Sequence, residues 1–367
     1  MNILILNWRD PKNPRSGGAE IVTEKYASYW ANQSHHVTWV ANTIPGCDLT
    51  EETNKVKYLR VGPSLGYSVS GLMTTYPVFL FNAIQLAKKI IRENKIDLVI
   101  DEIHGLPFFT PLYSHARNVM LVCEVAGSIW DKMFPFPIDI LGKLSEKVIY
   151  HLYRNTETWA ISNSTKTDIY NLNQNKNIKI LPLGIDAPKY PRLSKFPFPS
   201  AVFLGRLVKM KGLESAIQAA REISEKLPDF KLFVIGSGPP EYITSLNSPS
   251  CVEFLGKVSE EDKYKYLSKS HFLIHPSYKE GFGLTVLEAG VMGTPTIARR
   301  GSNLDELIQN EKTGWLFNNN IDISTIFIKS YNTNLYNNIS STCSDNLSKY
   351  LWNRKLLLSK KLIQKIE

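Results

Sequence analysis

Short apolar runs rich in β-branched residues alternate with helical patterns along this chain, and they do so twice. In the first half, Ile3–Asn7, His36–Ala41, Val56–Val61, Asp97–Ile100, Val119–Glu124, Thr158–Ile161 and Ile178–Leu181 read as strands. Helical patterns at Ala19–Asn32, Leu72–Asn94 and Gly142–Arg154 fall between them. Strands that are apolar throughout, rather than alternately, belong to a parallel sheet covered on both faces. The pattern stops at Pro182–Pro199, where five prolines (182, 188, 191, 197 and 199) rule out a helix interior or a central strand. It then restarts, with strands expected at Ala201–Leu204, Lys231–Ile235, Val252–Leu255, Phe272–His275 and Thr294–Ala298. The second set of helices is expected at Gly212–Leu227, Glu260–Ser268, Leu284–Met292 and Asn303–Ile308.

At 367 residues the chain exceeds the roughly 250–300 at which single cores stop growing. Two doubly wound α/β domains are therefore expected, over residues 1–183 and 184–345, with a helical tail at 346–367. In such a pair a ligand belongs at the carboxyl ends of the strands, in the cleft between the domains. The opening MNILILNWRD lacks a basic leader and a long apolar core, so it reads as a first strand and not as a secretory signal. No run approaches the roughly 18–20 apolar residues of a spanning helix. The four cysteines (Cys47, Cys123, Cys251 and Cys343) form no CxxC pair, which argues against a disulfide scaffold or zinc site and for a cytoplasmic, reducing setting.

The net charge of +9 permits nucleic acid, an anionic membrane or phosphorylated small molecules as partners. Nucleic acid is disfavoured, because no basic stripe interleaves with aromatics. The basic tail Lys349–Lys365 is expected to pack its Leu and Ile face on the N-domain. Alternatively the tail and the aromatics of Tyr67–Phe81 rest on an anionic membrane, at whose inner face a lipid-linked acceptor would lie.

Four stretches carry candidate chemistry. Gly17 and Gly18, in RDPKNPRSGGAE, precede a helix start, where free N–H groups and missing β-carbons would admit an anion; a plain turn is the alternative. In GRLVKMKG, Arg206 and Lys211 lie between a strand and a helix and could hold a diphosphate, or could be two solvated cations. In PSYKEGFGLTVLEAGVMGTP, Glu280 and Glu288 are eight positions apart, about 12 Å at helical rise. That suits hydrogen bonds to separate hydroxyls of one long ligand better than a glycosidase pair, whose carboxyls lie roughly 5–10 Å apart. Gly281 and Gly283 leave loop N–H groups open to phosphate or sugar. Finally, His104 follows the strand Asp97–Ile100, beside the acids Asp101, Glu102 and Glu124, and is either a sugar contact or a structural histidine.

With those residues in view, the chain resembles a family 4 glycosyltransferase of the GT-B fold along essentially its whole length. EGFGLTVLEAGVMGTPTIA (Glu280 to Ala298) is similar to the family's signature loop and helix, GRLVKMKG to its diphosphate motif, SGGAE to its N-domain loop, and IHGLPFF to its histidine segment. The departures are CEVAGSIWD, where members often carry another histidine, and Ser302 after Gly301, where a glycine pair is usual.

The resemblance implies retaining, metal-independent transfer from a nucleoside diphosphate sugar (UDP- or GDP-linked) to a glycan or lipid-linked acceptor hydroxyl, in surface polysaccharide or glycolipid assembly. Arg206 and Lys211 would hold the diphosphate. Glu280, with the amides of Gly281, Phe282, Gly283 and Leu284, would hold the hexose, and Glu288 the ribose. Gly17 and Gly18 would approach the phosphates, and His104 the transferred sugar. A nucleotide-sugar epimerase of the same fold and a non-catalytic sugar-nucleotide sensor are the competing readings.

Overall fold

Both halves of the chain build parallel sheets, seen in a computed structural model that describes residues 1–64, 69–103, 106–127, 129–133, 136–187, 189–301, 303–319, 321–344 and 349–364. The chain divides into two compact units. One comprises Met1–Val125, Lys143–Gly184 and Lys355–Glu367, and the other Ala126–Gly142 and Ile185–Arg354.

In the first unit the strands are β1 (Asn2–Leu6), β2 (His36–Asn42), β3 (Thr50–Thr53), β4 (Val56–Val61), β5 (Leu98–Ile103), β6 (Arg117–Val122), β7 (Glu157–Ala160) and β8 (Ile178–Ile180). They lie in the order β3-β4-β2-β1-β5-β6-β7-β8, parallel except for the antiparallel edge pair β3–β4. The polar edge strand β3 (TEET) has none of the apolar signal of the others, and the sequence reading missed it. β5 is buried at every position.

The helices of this unit include α1 (Gly18–Asn32) and α2 (Val69–Glu93). α2 lays Phe79, Ala83 and Ala87 against Leu4, Leu6, Val40 and Val99 of the sheet. After the short α3 (Ile129–Met133) of the second unit comes α4 (Ile138–Leu152), which enters the first unit at Lys143. α4 and α5 (Asn163–Asn173) bury Ile149, Tyr150 and Ile169 against Met120, Val122 and Ala160. Each fully buried aliphatic or aromatic side chain of this kind contributes about 1.5–3 kcal/mol.

The second unit carries β9 (Ser200–Leu204), β10 (Lys231–Ile235), β11 (Val252–Gly256), β12 (Phe272–His275), β13 (Thr296–Arg299) and β14 (Gly314–Phe317), in the order β11-β10-β9-β12-β13-β14. Its helices are α6 (Leu213–Lys226), α7 (Pro240–Ser245), α8 (Glu260–Lys269), α9 (Leu284–Val291), α10 (Leu304–Leu307), α11 (Ile321–Ser330) and α12 (Asn334–Thr342). α6 and α11 bury Leu213, Ala220, Ile323 and Phe327 against Phe272, Ile274 and Ile297. The last helix, α13 (Trp352–Gln364), belongs to the first unit from Lys355 onward. There Ser359 Oγ accepts from the Trp30 indole at 3.2 Å, and the Leu362 carbonyl accepts from Arg117 at 3.3 Å.

The proline-rich stretch Pro182–Pro199 forms no helix or strand among its described residues. From Ile185 it packs into the second unit, where Leu193 N–H donates to Ser268 Oγ at 2.6 Å and the Phe196 ring contacts Phe233 at 5.2 Å. Lys195 donates to the Ser270 carbonyl at 2.8 Å and to Thr294 Oγ1 at 2.6 Å, and burial pulls its ammonium down to about 7.

Strand order reverses between β1 and β5 in one unit and between β9 and β12 in the other, and a crevice opens at the carboxyl ends of such strand pairs. In the second unit that edge is closely packed backbone. A Cβ added to Gly236 (φ +144°) would lie 1.8 Å from the Gly205 carbonyl oxygen, and one on Gly238 would lie 2.0 Å from that of Leu207. Neither neighbour is a flexible tip that can swing away. Gly236→Ala is therefore expected to destabilise the protein by about 2–4 kcal/mol, from strained backbone plus a forced shift of the loop after β9, read as a lower urea midpoint.

Candidate active site

The loops that follow β9 and β12 meet at the reversal point of the second unit. The first carries Arg206 and Lys211; the second carries Glu280 and runs into α9. They touch through backbone as well as side chains: Tyr278 N–H donates to the Met210 carbonyl at 3.0 Å. Gly212, at φ +70°, has room for no β-carbon, since one would lie 2.4 Å from the Pro276 carbonyl oxygen. Leaving out that side chain lets Lys211 reach across.

The result is a compact charged cluster. Lys211 Nζ lies 2.5 Å from Glu280 Oε1, and His275 Nε2 lies 3.0 Å from the same oxygen. Both partners of the lysine pair are largely buried, at 16% and 13% side-chain exposure. Burial by itself would raise the Glu280 carboxyl. The Lys211 charge and the His275 hydrogen bond outweigh it and hold the group well below the usual carboxylate range. An ionised carboxylate only accepts, so His275 carries its proton on Nε2. Its Nδ1 lies 3.3 Å from Thr285 Oγ1.

Two further side chains fix the loop. Asn303 Nδ2 donates to the Phe282 carbonyl at 2.6 Å, and Arg299 Nε donates to the Pro276 carbonyl at 3.1 Å while its guanidinium covers the Tyr278 ring. α9 then begins at Leu284, with Gly283 (φ +90°) as its cap residue and no side chain capping it. First-turn N–H groups at such an end are available to an anion or to a hydroxyl.

Arg206 is exposed, and its guanidinium makes no hydrogen bond or ion pair among the described residues. Glu288 does not join the Glu280 cluster directly; its Oε1 lies 2.8 Å from Lys263 Nζ of α8. Residues 280–283 are not helical, so the separation of about 12 Å expected from helical rise does not apply over the first half of that interval. His275, Asn303 and Arg299 were missed by the sequence reading. For His275 a signal was present, since it ends β12 five residues before Glu280.

In the first unit the turn after β1 is organised by Glu20. Its carboxylate accepts from the Gly17 amide at 2.7 Å and pairs with Arg9 at 2.9 Å. The Gly17 N–H is thus engaged, and α1 opens with Gly18. A Cβ on Gly17 would make only ordinary contact, so close packing does not demand glycine there. At the end of β5, Asp101 is fully buried and accepts from Tyr153 OH at 2.5 Å, Thr110 Oγ1 at 3.1 Å and the Phe108 amide at 3.1 Å. It clamps the following loop to the sheet, and burial pushes its carboxyl up. Glu102 is also buried, with its Oε1 3.8 Å from the Cys123 sulfur. His104 lies outside the described residues.

Comparison with known proteins agrees with this architecture. The profile for Glycosyltransferase Family 4 matches residues 16–188, and that for Glycosyl transferases group 1 matches residues 195–328. The chain belongs to the family 4 glycosyltransferases. This transferase is 24% identical over 331 residues to an N-acetyl-alpha-D-glucosaminyl L-malate synthase of Bacillus anthracis, covering 83% of this chain and 81% of that one. Among solved structures it is similar to a sucrose-phosphate synthase from Thermosynechococcus elongatus, with TM-score 0.81, 15% identity, and 100% and 98% of the two chains covered. It is also similar to Anabaena Alr3699/HepE, solved in complex with UDP and glucose, with TM-score 0.72, 16% identity, and 99% and 100% covered. At such identities the likeness establishes the fold, which is GT-B. Among the described residues, no helix of the enzyme is long and apolar enough to cross a membrane.

The Lys211–Glu280 pair sets a pH test. With its carboxyl held low in the folded state, Glu280 adds stability above its unfolded value near 4.3, and this is lost as pH falls toward the folded one. In Lys211→Met, burial is no longer opposed by the ammonium, so the folded-state carboxyl rises and protonation relieves it. The variant is expected to be about 3 kcal/mol less stable than the parent at pH 7, with a smaller deficit at pH 4.5, by urea unfolding at both.

Proposed function

We propose that this transferase moves a hexosyl unit, with retention at the anomeric carbon, from a UDP- or GDP-sugar to the hydroxyl of a glycan or lipid-linked acceptor in surface polysaccharide or glycolipid assembly. The observation that carries the proposal is the cluster at the reversal point of the second unit: a largely buried carboxylate held ionised by Lys211 and His275, with the exposed Arg206 on the same loop as Lys211 and the start of α9 without a side-chain cap. As the bond to the diphosphate breaks, negative charge grows on the leaving phosphate. Fixed cations stabilise that charge without reorganising. Arg206 offers a planar fork for two phosphate oxygens and Lys211 a point charge, so in this reading the neutralising charge comes from the chain and no metal ion is required.

The remaining roles follow from chemistry. Glu280, held ionised by Lys211 and His275, accepts hydrogen bonds from hexose hydroxyls, with the amides of Gly281, Phe282, Gly283 and Leu284 beside it. Glu288 is held by Lys263 through one oxygen, and the other is offered to the ribose hydroxyls. Gly18, with Gly17, is assigned to the phosphates and His104 to the transferred sugar. The UDP and glucose bound in the Anabaena structure, and the sugar transfer implied by the name of the Bacillus anthracis relative, support a nucleoside diphosphate sugar as donor.

The test is calorimetry of UDP- and GDP-sugars with the parent, Arg206→Ala, Lys211→Ala and Glu288→Ala. One nucleotide sugar is expected to bind. Each substitution removes a hydrogen bond to a charged group, about 1.5–3 kcal/mol, and so should weaken binding roughly 10–150-fold. Failure of every donor to bind the parent overturns the proposal. So does donor conversion that proceeds equally without an acceptor, which would mark an epimerase.

A further inference from the structure

The two groups on Glu280 Oε1 are not equivalent. Lys211 brings a point charge on a flexible stem with rotatable donors, which can follow the carboxylate through a range of positions. His275 brings a rigid ring. It ends β12, where it is 5% exposed and lies in parallel register with Ala298 of β13, so the sheet fixes its backbone. A ring N–H held in that way donates along one direction, and such a bond weakens steeply when bent. The lysine therefore supplies charge, and the histidine supplies direction.

Glu280 needs that direction from outside its own segment. Residues 276–283, between β12 and α9, form neither helix nor strand, and Glu280 is followed at once by Gly281 and then by Gly283. Glycines leave the backbone its widest freedom, so the local chain does little to aim the carboxylate. The bonds from Arg299 and Asn303 hold the carbonyls of Pro276 and Phe282, not the Glu280 side chain. The other face of the imidazole completes the arrangement. Its Nδ1 lies 3.3 Å from the hydroxyl of Thr285, the second residue of α9. One ring thus spans from the carboxylate to the first turn of the helix.

We propose that His275 is a positioning residue: set between Thr285 and Glu280, it fixes the carboxylate against the first turn of α9 so that both meet the same hexose. This role rests on the donor reading given above, in which Glu280 and the amides at the start of α9 share the sugar. Groups that act together on one ligand must be held within about 0.5 Å of the working geometry by side chains that are themselves locked. The nucleoside diphosphate is assigned to Arg206, Lys211 and Glu288, and no hydrogen bond joins His275 to any of them. Loss of His275 should therefore be felt by the sugar and not by the nucleotide, a distinction that a general loosening of the fold would not make.

The test is calorimetry of the full chain with UDP-glucose, UDP-N-acetylglucosamine and GDP-mannose, each beside UDP or GDP alone. It compares the parent with His275→Leu, His275→Gln and Thr285→Val. His275→Leu keeps Lys211, so the carboxylate remains charged and loses only its direction. It is expected to bind the nucleotide sugar about tenfold more weakly, with affinity for the matching nucleoside diphosphate within about twofold of the parent. His275→Gln returns an N–H toward Glu280 and should recover to within about threefold of the parent. Thr285→Val should weaken the nucleotide sugar about threefold, again sparing the diphosphate. Retained diphosphate binding is also the control for folding. Equal weakening toward nucleotide sugar and diphosphate overturns the proposal, as does a His275→Gln that binds no better than His275→Leu. A parent that binds none of the nucleotide sugars overturns the donor reading and this role with it. A parent that binds one, with His275→Leu binding it equally, overturns the role of His275 alone.

Discussion

A carboxylate withdrawn from water must find a compensating charge, and in the second unit that requirement organises everything around it. Glu280 stands on a loop that buries it, and the loss of hydration alone would protonate it. Lys211 and His275 keep it ionised. For the lysine to arrive, the turn after β9 must lie against the turn after β12, with no side chain between them. Gly212 meets that demand beneath Lys211, and Gly236 and Gly238 meet it one strand further out. The glycines, the ion pair and the loop contacts are therefore one solution to one electrostatic problem.

The first unit treats a buried acid in the opposite way. Among the described residues Asp101 has no cation in its hydrogen-bonded clamp; it is held by a phenol, a threonine hydroxyl and backbone amides, and its carboxyl is pushed up, not down. Two acids at the carboxyl ends of their strands thus serve different ends. Asp101 anchors a loop by accepting from neutral donors. Glu280 is kept charged by the ammonium and the imidazole beside it.

Much of this was legible in the sequence because apolar runs buried on both faces leave a plain mark. The interior strands β1, β2, β5, β10 and β12 were placed within a residue or a few at each end. What escaped notice had a weak or contrary signal. β3 is polar along its length because it lies on a sheet edge. α11 and α12 sit among Asn and Ser residues, and the buried apolar side chains described in them are Ile323, Phe327, Tyr336 and Ile339. The prolines after Leu181 correctly excluded helix and sheet, yet irregular backbone can still pack, as Leu193, Lys195 and Phe196 do. At the site, the motifs singled out Lys211 and Glu280 as candidates, but their spacing carried no information on which cation meets which acid. The pairing of Glu288 with Lys263 depends on α8 lying beside α9, a tertiary fact.

The route of the chain also bears on how the protein comes into being. α13 closes the first unit, and its partners Trp30 and Arg117 lie 329 and 245 residues away from Ser359 and Leu362. A nascent chain emerging from the ribosome therefore exposes the seat of α13 while the whole second unit is still being made. The first unit stays open on that side until α13 has been made, with Trp30 and its neighbours uncovered. The second unit, apart from its short borrowed segment Ala126–Gly142, can complete its sheet earlier. The domain made first is thus the one finished last, and its exposure to chaperones and proteases scales with the time needed to synthesise its neighbour.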